Sequence, residues 1–423
     1  MRFGIRTLDD VDVQGKVVLC RVDINQPVDR ESGKLKSINR IRACVPTIRE
    51  LSDKGAKLVL MTHQGSDIEY QNFYATKPHA EVLTELLGRK VNWIDDVCGP
   101  AAREAIRSLK DGEILLLDNV RFVAEEQTLF ERKLRLSHEA QAKTLLPVKL
   151  APLADLYICD AFAAAHRDQP SLCGFEQILP SAMGRLFEKE YCTVSSVMEE
   201  PKRPCVFILG GAKIADAFEM MNTVLSRGIA DAILTGGLVA NIFLIGLGRA
   251  IGEGSRAFIE KAGYAEFFDK AAELYRCYGD RIVLPQDLAW VQDGKRQEAS
   301  VGEMPEDCAA VYIGCKTAEE YRQRILEAKT VFVNGPMGVF EKPESELGTK
   351  TIWQALADTA GFTVLGGGDS ITATEKYGLT EQMGYICTGG GALIRFLSGE
   401  ELPVVRALKH GSQIPLEKDG KEK

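Results

Sequence analysis

The stretch CVFILGGAKIADAFEMMNTVLSRGIADAILTGG, residues 205–237, holds two short apolar runs separated by a longer amphipathic segment. The first run, CVFIL, ends in Gly210-Gly211, and the second, AILT, ends in Gly236-Gly237. A short β-branched run, a glycine turn, an amphipathic segment and another short run make up a strand–helix–strand unit with a parallel sheet.

The same alternation extends along almost the whole chain. Before residue 180 the predicted strands are KVVLCRVD, AKLVLMTH, EILLLDN and LYICDAF, with helices over Arg40–Lys54, His79–Gly88 and Glu131–Leu146. Beyond residue 204 the strands CVFILGG and AILTGG are followed by RIVLPQD, TVFVNGP, FTVLGGG and GYICTGGG. A helix over Ala182–Met198, then the charged, proline-containing EEPKRP, suits a connector between compact units. The expected organisation is therefore α/β, with two doubly wound (Rossmann-like) parallel-sheet domains joined by a helical hinge. The first covers residues 1–180, the hinge 181–203 and the second 204–396, and the tail 397–423 is too short to be a domain.

Composition narrows the function classes. Of 423 residues, 45% are hydrophobic and 26% charged, which suits a folded globular chain. The 52 basic and 60 acidic residues leave a net charge of −8, so no nucleic acid and no anionic membrane surface is expected as a partner. Any anionic ligand must then be held by a local cationic site. The longest uncharged stretch, Ala232–Gly248, is interrupted by Gly236, Gly237 and Asn241 and reads as a strand followed by a helix rather than a membrane span. Eleven scattered cysteines with no CxxC pair predict reduced, largely buried thiols in a cytoplasmic protein.

Ligands of doubly wound sheets gather at the carboxyl ends of strands. In the second half those ends are glycine-rich: Gly210 and Gly211 before Lys213, then Gly236 and Gly237, Gly335 with Gly338, Gly366, Gly367 and Gly368 before Asp369 and Ser370, and Gly389 to Gly391. Backbone can approach a ligand closely at glycine, and the first N–H groups of the following helix can bind phosphate oxygens. Repetition of this feature predicts a nucleotide-phosphate platform. There is no GxxxxGK[ST], and Gly246, Gly248 and Gly252 have the wrong spacing for a dinucleotide fingerprint, which counts against a dehydrogenase. In the first half the strand ends carry Asp23 and Asn25, His63, Arg121, and His166 with Arg167, while Arg40 opens the first helix. Arginine forks suit phosphate and carboxylate, so this edge is read as the seat of a small anionic substrate. Asp23 could equally orient a neighbouring arginine, and His63 could be a hydrogen-bonded core histidine.

At RVDIN, RIRACVPTI (40–48), DNVRF, DAFAAAHR, ILGGAK, NGPMGVFE and GGGDS the sequence resembles the phosphoglycerate kinases, from about Lys16 to about Leu408. DIN followed by Gln26-Pro27, DDVCGP, FAAAHRDQPS and GIADAILTGGLVAN resemble the archaeal branch. The resemblance implies two doubly wound domains with hinge closure, a carboxy-terminal tail packed back on the first domain, and a glycolytic and gluconeogenic activity. That activity is reversible phosphoryl transfer between 1,3-bisphosphoglycerate and ADP, giving 3-phosphoglycerate and ATP, with Mg2+ accompanying the nucleotide. It implies that Asp23, Asn25, Arg40, His63, Arg121 and Arg167 bind phosphoglycerate, and that Lys213 and Arg40 neutralise the phosphoryl group in transfer. Asn334 and Glu341 would face the nucleotide, Gly366 to Ser370 would meet its phosphates, and Asp369 would lie near magnesium. Gly211, Gly236 and Gly237 would line the same nucleotide site, and a monomer is expected.

Two positions depart from the family pattern. Many members carry a second lysine four residues beyond that of GGAK, where this chain has Ala217. After the histidine of the second strand, where an arginine usually grips the substrate, the run is His63-Gln64-Gly65-Ser66-Asp67. Ser66 is either a true replacement or part of a remodelled loop, and it keeps open an alternative reading, a catalytically impaired nucleotide-binding or regulatory protein on the same fold.

Overall fold

The computed structural model describes residues 1–29, 31–65, 73–131, 135–310 and 312–416. It divides into two units: Met1–Cys192 together with the segment from Glu401 onward, and Thr193–Glu400.

The first unit is built on a six-stranded parallel sheet. Its strands are β1 (Val17–Arg21), β2 (Lys57–Met61), β3 (Val91–Trp93), β4 (Ile114–Leu116), β5 (Leu156–Cys159) and β6 (Ser181–Met183), in the order β3-β4-β2-β1-β5-β6. The second unit repeats the design with β7 (Cys205–Leu209), β8 (Ala232–Thr235), β9 (Ile282–Val283), β13 (Thr330–Asn334), β14 (Phe362–Gly366) and β15 (Tyr385–Ile386). Their order is β15-β14-β13-β7-β8-β9. Between β9 and β13 in the chain lies a small antiparallel sheet of β10 (Asp287–Gln292), β11 (Lys295–Ser300) and β12 (Tyr312–Ile313), in the order β11-β10-β12. Helices cover both faces of each parallel sheet, so the central strands are buried on both sides and read as unbroken apolar runs.

In each sheet the strand order reverses at one place. Connections from β1 run one way and those from β5 the other, and β7 and β13 are related in the same manner. These two crevices are where a doubly wound fold opens a ligand site.

Several boundaries differ from the sequence reading. Residues 181–183, assigned to the hinge, are instead the edge strand β6, paired with β5 through Tyr157 and Ser181. The hinge helix therefore starts late, at Arg185, and runs to Glu199, past the point where the chain passes from one unit to the other. Buried Asp160, just after β5, caps it, accepting the Leu186 and Phe187 N–H groups at 2.9 and 3.1 Å through Oδ1. Burial pushes this carboxyl up to about 7. Of the helix expected over 131–146, residues 132–134 lie outside the described chain. The remainder is broken into the end of Ala124–Glu131, then His138–Gln141 and the start of Leu145–Leu150. Ser137 and Thr144 open the two later segments, and the Ser137 hydroxyl accepts the Ala140 N–H. The short strand β3 and the antiparallel sheet were not foreseen, and RIVLPQD contributes only the two residues of β9 before Asp287 enters β10.

The helix Pro403–Gly411 packs on the first unit and buries Val404, Val405, Ala407 and Leu408. Arg6 donates to the Ile414 carbonyl at 2.8 Å, and the Ser412 hydroxyl accepts the Arg6 N–H at 2.9 Å. The segments around Arg6 and Ile414 are thus tied together, and the helix Pro403–Gly411 keeps its place without a core of its own. Ala232–Gly248 is a strand and a helix, and among the described residues no helix is long and apolar enough to cross a membrane.

Candidate functional site

In the first unit, β4, β2, β1 and β5 lie side by side, so Arg121, His63, Asp23 with Asn25, and Arg167 emerge from one edge. The residue that organises them is Arg21, the last of β1, which is fully buried. Its Nη2 lies 3.0 Å from His63 Nδ1, its Nε donates to the Ser171 hydroxyl at 3.1 Å, and its Nη1 donates to the Val22 carbonyl. A guanidinium can only donate, so His63 Nδ1 accepts and the ring proton sits on Nε2. Burial, then the positive fields of Arg21, Arg167, Arg121 and Arg40, hold the His63 imidazole well below its ordinary range. It is neutral in a ring of cations.

Arg40 is the second residue of the helix Asn39–Asp53, and its Nη1 meets both oxygens of Asp23, at 3.2 and 3.1 Å. The orienting role open to Asp23 is thus filled, and among the described residues Arg40 Nε and Nη2 have no partner. Arg121 is 4% exposed and donates to the Gly65 carbonyl at 2.7 Å. Asn25 accepts the Gly65 N–H at 3.0 Å, so Gly65 is pinned from two sides. Ser66, the neighbour of Gly65, lies outside the described residues.

Behind this edge is a polar scaffold that sequence reasoning missed. Gln64 exchanges bonds with Gln26, accepts from His79 Nε2 at 2.9 Å, and is bracketed by the Asn119 amide. Glu126 is fully buried against the Ser171 N–H and hydroxyl, and burial raises its carboxyl despite the opposing field of Arg21. The only sequence signal was Arg21 itself, a charge closing the apolar run VVLC.

In the second unit the strand ends interlock. The Asn334 carbonyl accepts the Gly210 N–H at 3.1 Å and the Pro336 carbonyl accepts the Gly211 N–H at 2.9 Å, across the crevice between β7 and β13. A Cβ at Gly210 would collide with the Pro336 carbonyl, and one at Gly335, where φ is +90°, with the Gly210 carbonyl. Gly236 is closed on by Met337, and Gly366 by Leu393. These four positions therefore admit no side chain, a constraint of chain packing that holds with or without a ligand. Gly368 differs: it is exposed at the start of the helix Gly368–Lys376, and its missing side chain faces open space. The Ser370 hydroxyl accepts the Gly335 N–H at 2.8 Å and ties this helix start to β13.

Asp369, also exposed, has no hydrogen bond or ion pair among the described residues. Lys213 is the residue before the helix Ile214–Ser226, exposed and likewise without a partner among the described residues. Buried Asn334 closes β13, beside Gly367. Glu341 is exposed and turned on its own backbone, accepting the Phe340 N–H at 2.9 Å. Lys376, not foreseen from sequence, holds this turn by donating to the Phe340 and Glu341 carbonyls while pairing with Glu346 at 2.8 Å.

Fold and strand ends together define a two-domain, doubly wound α/β protein with a cationic edge on one sheet and a glycine-lined edge on the other. A family model described as phosphoglycerate kinase matches residues 8–400, and the chain belongs to that family. The phosphoglycerate kinase of Methanothermobacter thermautotrophicus is 46% identical over 407 residues, covering 96% of this chain and 97% of the relative. That of Thermococcus kodakarensis is 42% identical, covering 95% and 96%. The crystal structure of phosphoglycerate kinase from Pyrococcus horikoshii superposes with a TM-score of 0.85 at 40% identity, covering 96% of this chain and 99% of that one. The enzyme of Coxiella burnetii gives 0.82 at 27% identity, covering 96% and 98%.

Proposed function

We propose that the protein is a phosphoglycerate kinase, transferring a phosphoryl group reversibly between ATP and the carboxylate of 3-phosphoglycerate. The observation that supports this reading best is the neutral His63 amid Arg21, Arg40, Arg121 and Arg167, a cation cluster suited to a ligand carrying both phosphate and carboxylate. In this reading the first unit binds phosphoglycerate through Asp23, Asn25, Arg40, His63, Ser66, Arg121 and Arg167. The second binds the nucleotide through Gly211, Lys213, Gly236, Gly237, Asn334, Glu341 and Gly366 to Ser370.

In the ATP-consuming direction a carboxylate oxygen attacks the γ-phosphorus. The new bond forms as the bond to the bridging oxygen of ADP breaks, and ADP leaves with that electron pair. The carboxylate is already ionised at neutral pH, so no general base is needed, and rate comes from alignment and charge neutralisation. Arg40, whose position is set by Asp23, and Lys213 supply the positive charge. A closing step that brings the ligands in line and excludes water belongs to the proposal.

The residues present fit a magnesium–nucleotide complex. Asp369 is an oxygen donor unpartnered among the described residues, beside the open face of Gly368, and a hard cation held by one carboxylate plus phosphate oxygens needs no more from the protein. Magnesium, when bound, neutralises phosphate charge.

A coupled assay with 3-phosphoglycerate and magnesium ATP tests the reading: turnover is expected. Binding of nucleotide without turnover would establish the impaired, regulatory alternative instead.

A further inference from the structure

We propose that His138, Asp168 and Cys173 form a binding site for a zinc-class divalent cation, separate from the magnesium that accompanies the nucleotide. One donor atom from each lies within 4.8 Å of the other two. His138 Nε2 and Asp168 Oδ1 are 3.3 Å apart, close to the roughly 3.3–3.6 Å separation of two ligands on a tetrahedral zinc. The Cys173 thiol, which lies 3.9 Å from the Arg167 carbonyl, must move closer to both to complete the set.

His138 supplies an independent sign of a missing ligand. Its side chain is 9% exposed, and buried Nε2 lies against the Asp168 carboxylate at ion-pair distance but outside good hydrogen-bond geometry. A metal ion seated between the nitrogen and the carboxylate would satisfy both groups better than this contact does. Gln141, 1% exposed, donates to Asp168 Oδ1 at 2.5 Å, the kind of second contact that orients a ligating carboxylate.

The donors come from elements held tightly together. Cys173 ends the short helix Pro170–Cys173, and a Cβ on the following Gly174 would press on the Pro170 carbonyl, Pro147 and the backbone of Gln141. Cys173 is thus fixed against the segment that carries His138 and Gln141. The Asp168 side chain is 39% exposed and leaves an entry path and room for a fourth ligand from solvent.

The mixed nitrogen, oxygen and sulfur set selects the cation. Thiolate and imidazole favour zinc or cobalt, whereas magnesium and calcium want oxygen. Burial pushes the Cys173 thiol well up, so it is protonated in the free protein. Binding forms the sulfur–metal bond and releases that proton to solvent, which makes affinity rise with pH.

The test uses the full chain stripped with a chelator. Zinc is titrated against a chromophoric competitor, and cobalt is titrated by absorption. A variant carrying both Cys277→Ser and Cys315→Ser removes the two exposed thiols. One equivalent of tight zinc is expected in the wild type and in that variant. The cobalt complex should show a thiolate charge-transfer band and intense tetrahedral bands, and excess magnesium should leave both unchanged. Cys173→Ala and His138→Gln should each weaken zinc by more than the roughly 10–100-fold that losing a second-shell partner costs. Circular dichroism verifies that each is folded, and the cobalt spectrum of the wild type decides the matter if either is not. A cobalt spectrum without the thiolate band, full zinc affinity in Cys173→Ala, or zinc lost with Cys277 and Cys315 would overturn the proposal.

Discussion

Lowering the pH should destabilise the first unit through His63, by an amount that can be worked out in advance. The imidazole is buried, receives a hydrogen bond from Arg21 on Nδ1, and faces four guanidinium groups, so its folded pKa lies well below the usual imidazole value of about 6.5. A group depressed in the folded state binds more protons when unfolded, so its stabilising contribution is present above the unfolded pKa and is lost as pH falls below it. With one proton taken up only by the unfolded chain, the loss between pH 7.5 and 5.5 is about 1.4 kcal/mol. Buried His79, held down to about 4 by burial, titrates with the same sign, while Asp160, raised to about 7, has the opposite sign. Wild type must therefore be compared with His63→Gln, in which these other contributions cancel. Hydrogen exchange of amides in β1, β2 and β5, across a urea series at each pH, confines the measurement to the first unit. The difference in unfolding free energy between the two proteins should shift by about 1.4 kcal/mol in favour of the variant on going from pH 7.5 to 5.5. A difference that stays flat would mean that His63 takes up its proton in the folded state, and the neutral-histidine account of the substrate edge would be wrong.

Lys213→Ala should lower kcat by about a hundredfold, the loss expected when one cation leaves a preorganised transfer site. The melting temperature should stay put because the side chain is exposed and unpartnered among the described residues; unchanged kcat would remove Lys213 from the mechanism. Arg167→Ala should weaken 3-phosphoglycerate binding while ADP binding, measured by calorimetry without the other ligand, stays as it was. Equal loss for both ligands would refute the assignment of the two edges. Gly335→Ala, which forces a Cβ into the Gly210 carbonyl at a φ of +90°, should destabilise the second unit by about 2–3 kcal/mol in a denaturant titration and take nucleotide binding with it. Ser66→Arg should tighten 3-phosphoglycerate about tenfold or more, as a charge-assisted bond is worth roughly 1.5–3 kcal/mol; an unchanged KM would show that the loop already supplies that contact.

Strand ends could be read from the sequence because both signals are local. An apolar run of four or five residues followed by Gly-Gly, or by Asp, His or Arg, announces a strand and its ligand-facing terminus at once. For that reason Arg121, His63, Asp23 and Arg167 could be placed on one edge before any strand order was known. The short strands β3 (VNW) and β6 (SAM) carry no apolar run to detect. The break of the expected 131–146 helix depends on caps that compete weakly with helix propensity.

What each residue does at the edge required distances across the chain. Arg21 meets His63 42 positions on and Ser171 150 positions on. In the sequence its charge closes an apolar run like any strand-end arginine. Packing alone buries it and makes it the support of a neutral histidine. Glycines show the same division: their positions were visible, but only packing against Pro336, Met337 or Leu393 shows that Gly210, Gly335, Gly236 and Gly366 admit no side chain, while Gly368 stands open. His138, Asp168 and Cys173 have no motif spacing, and only folding, by bringing separated segments within one coordination sphere, gives them common chemistry. Local periodicity is imposed by backbone geometry over a few residues, whereas burial and proximity arise only when distant segments pack.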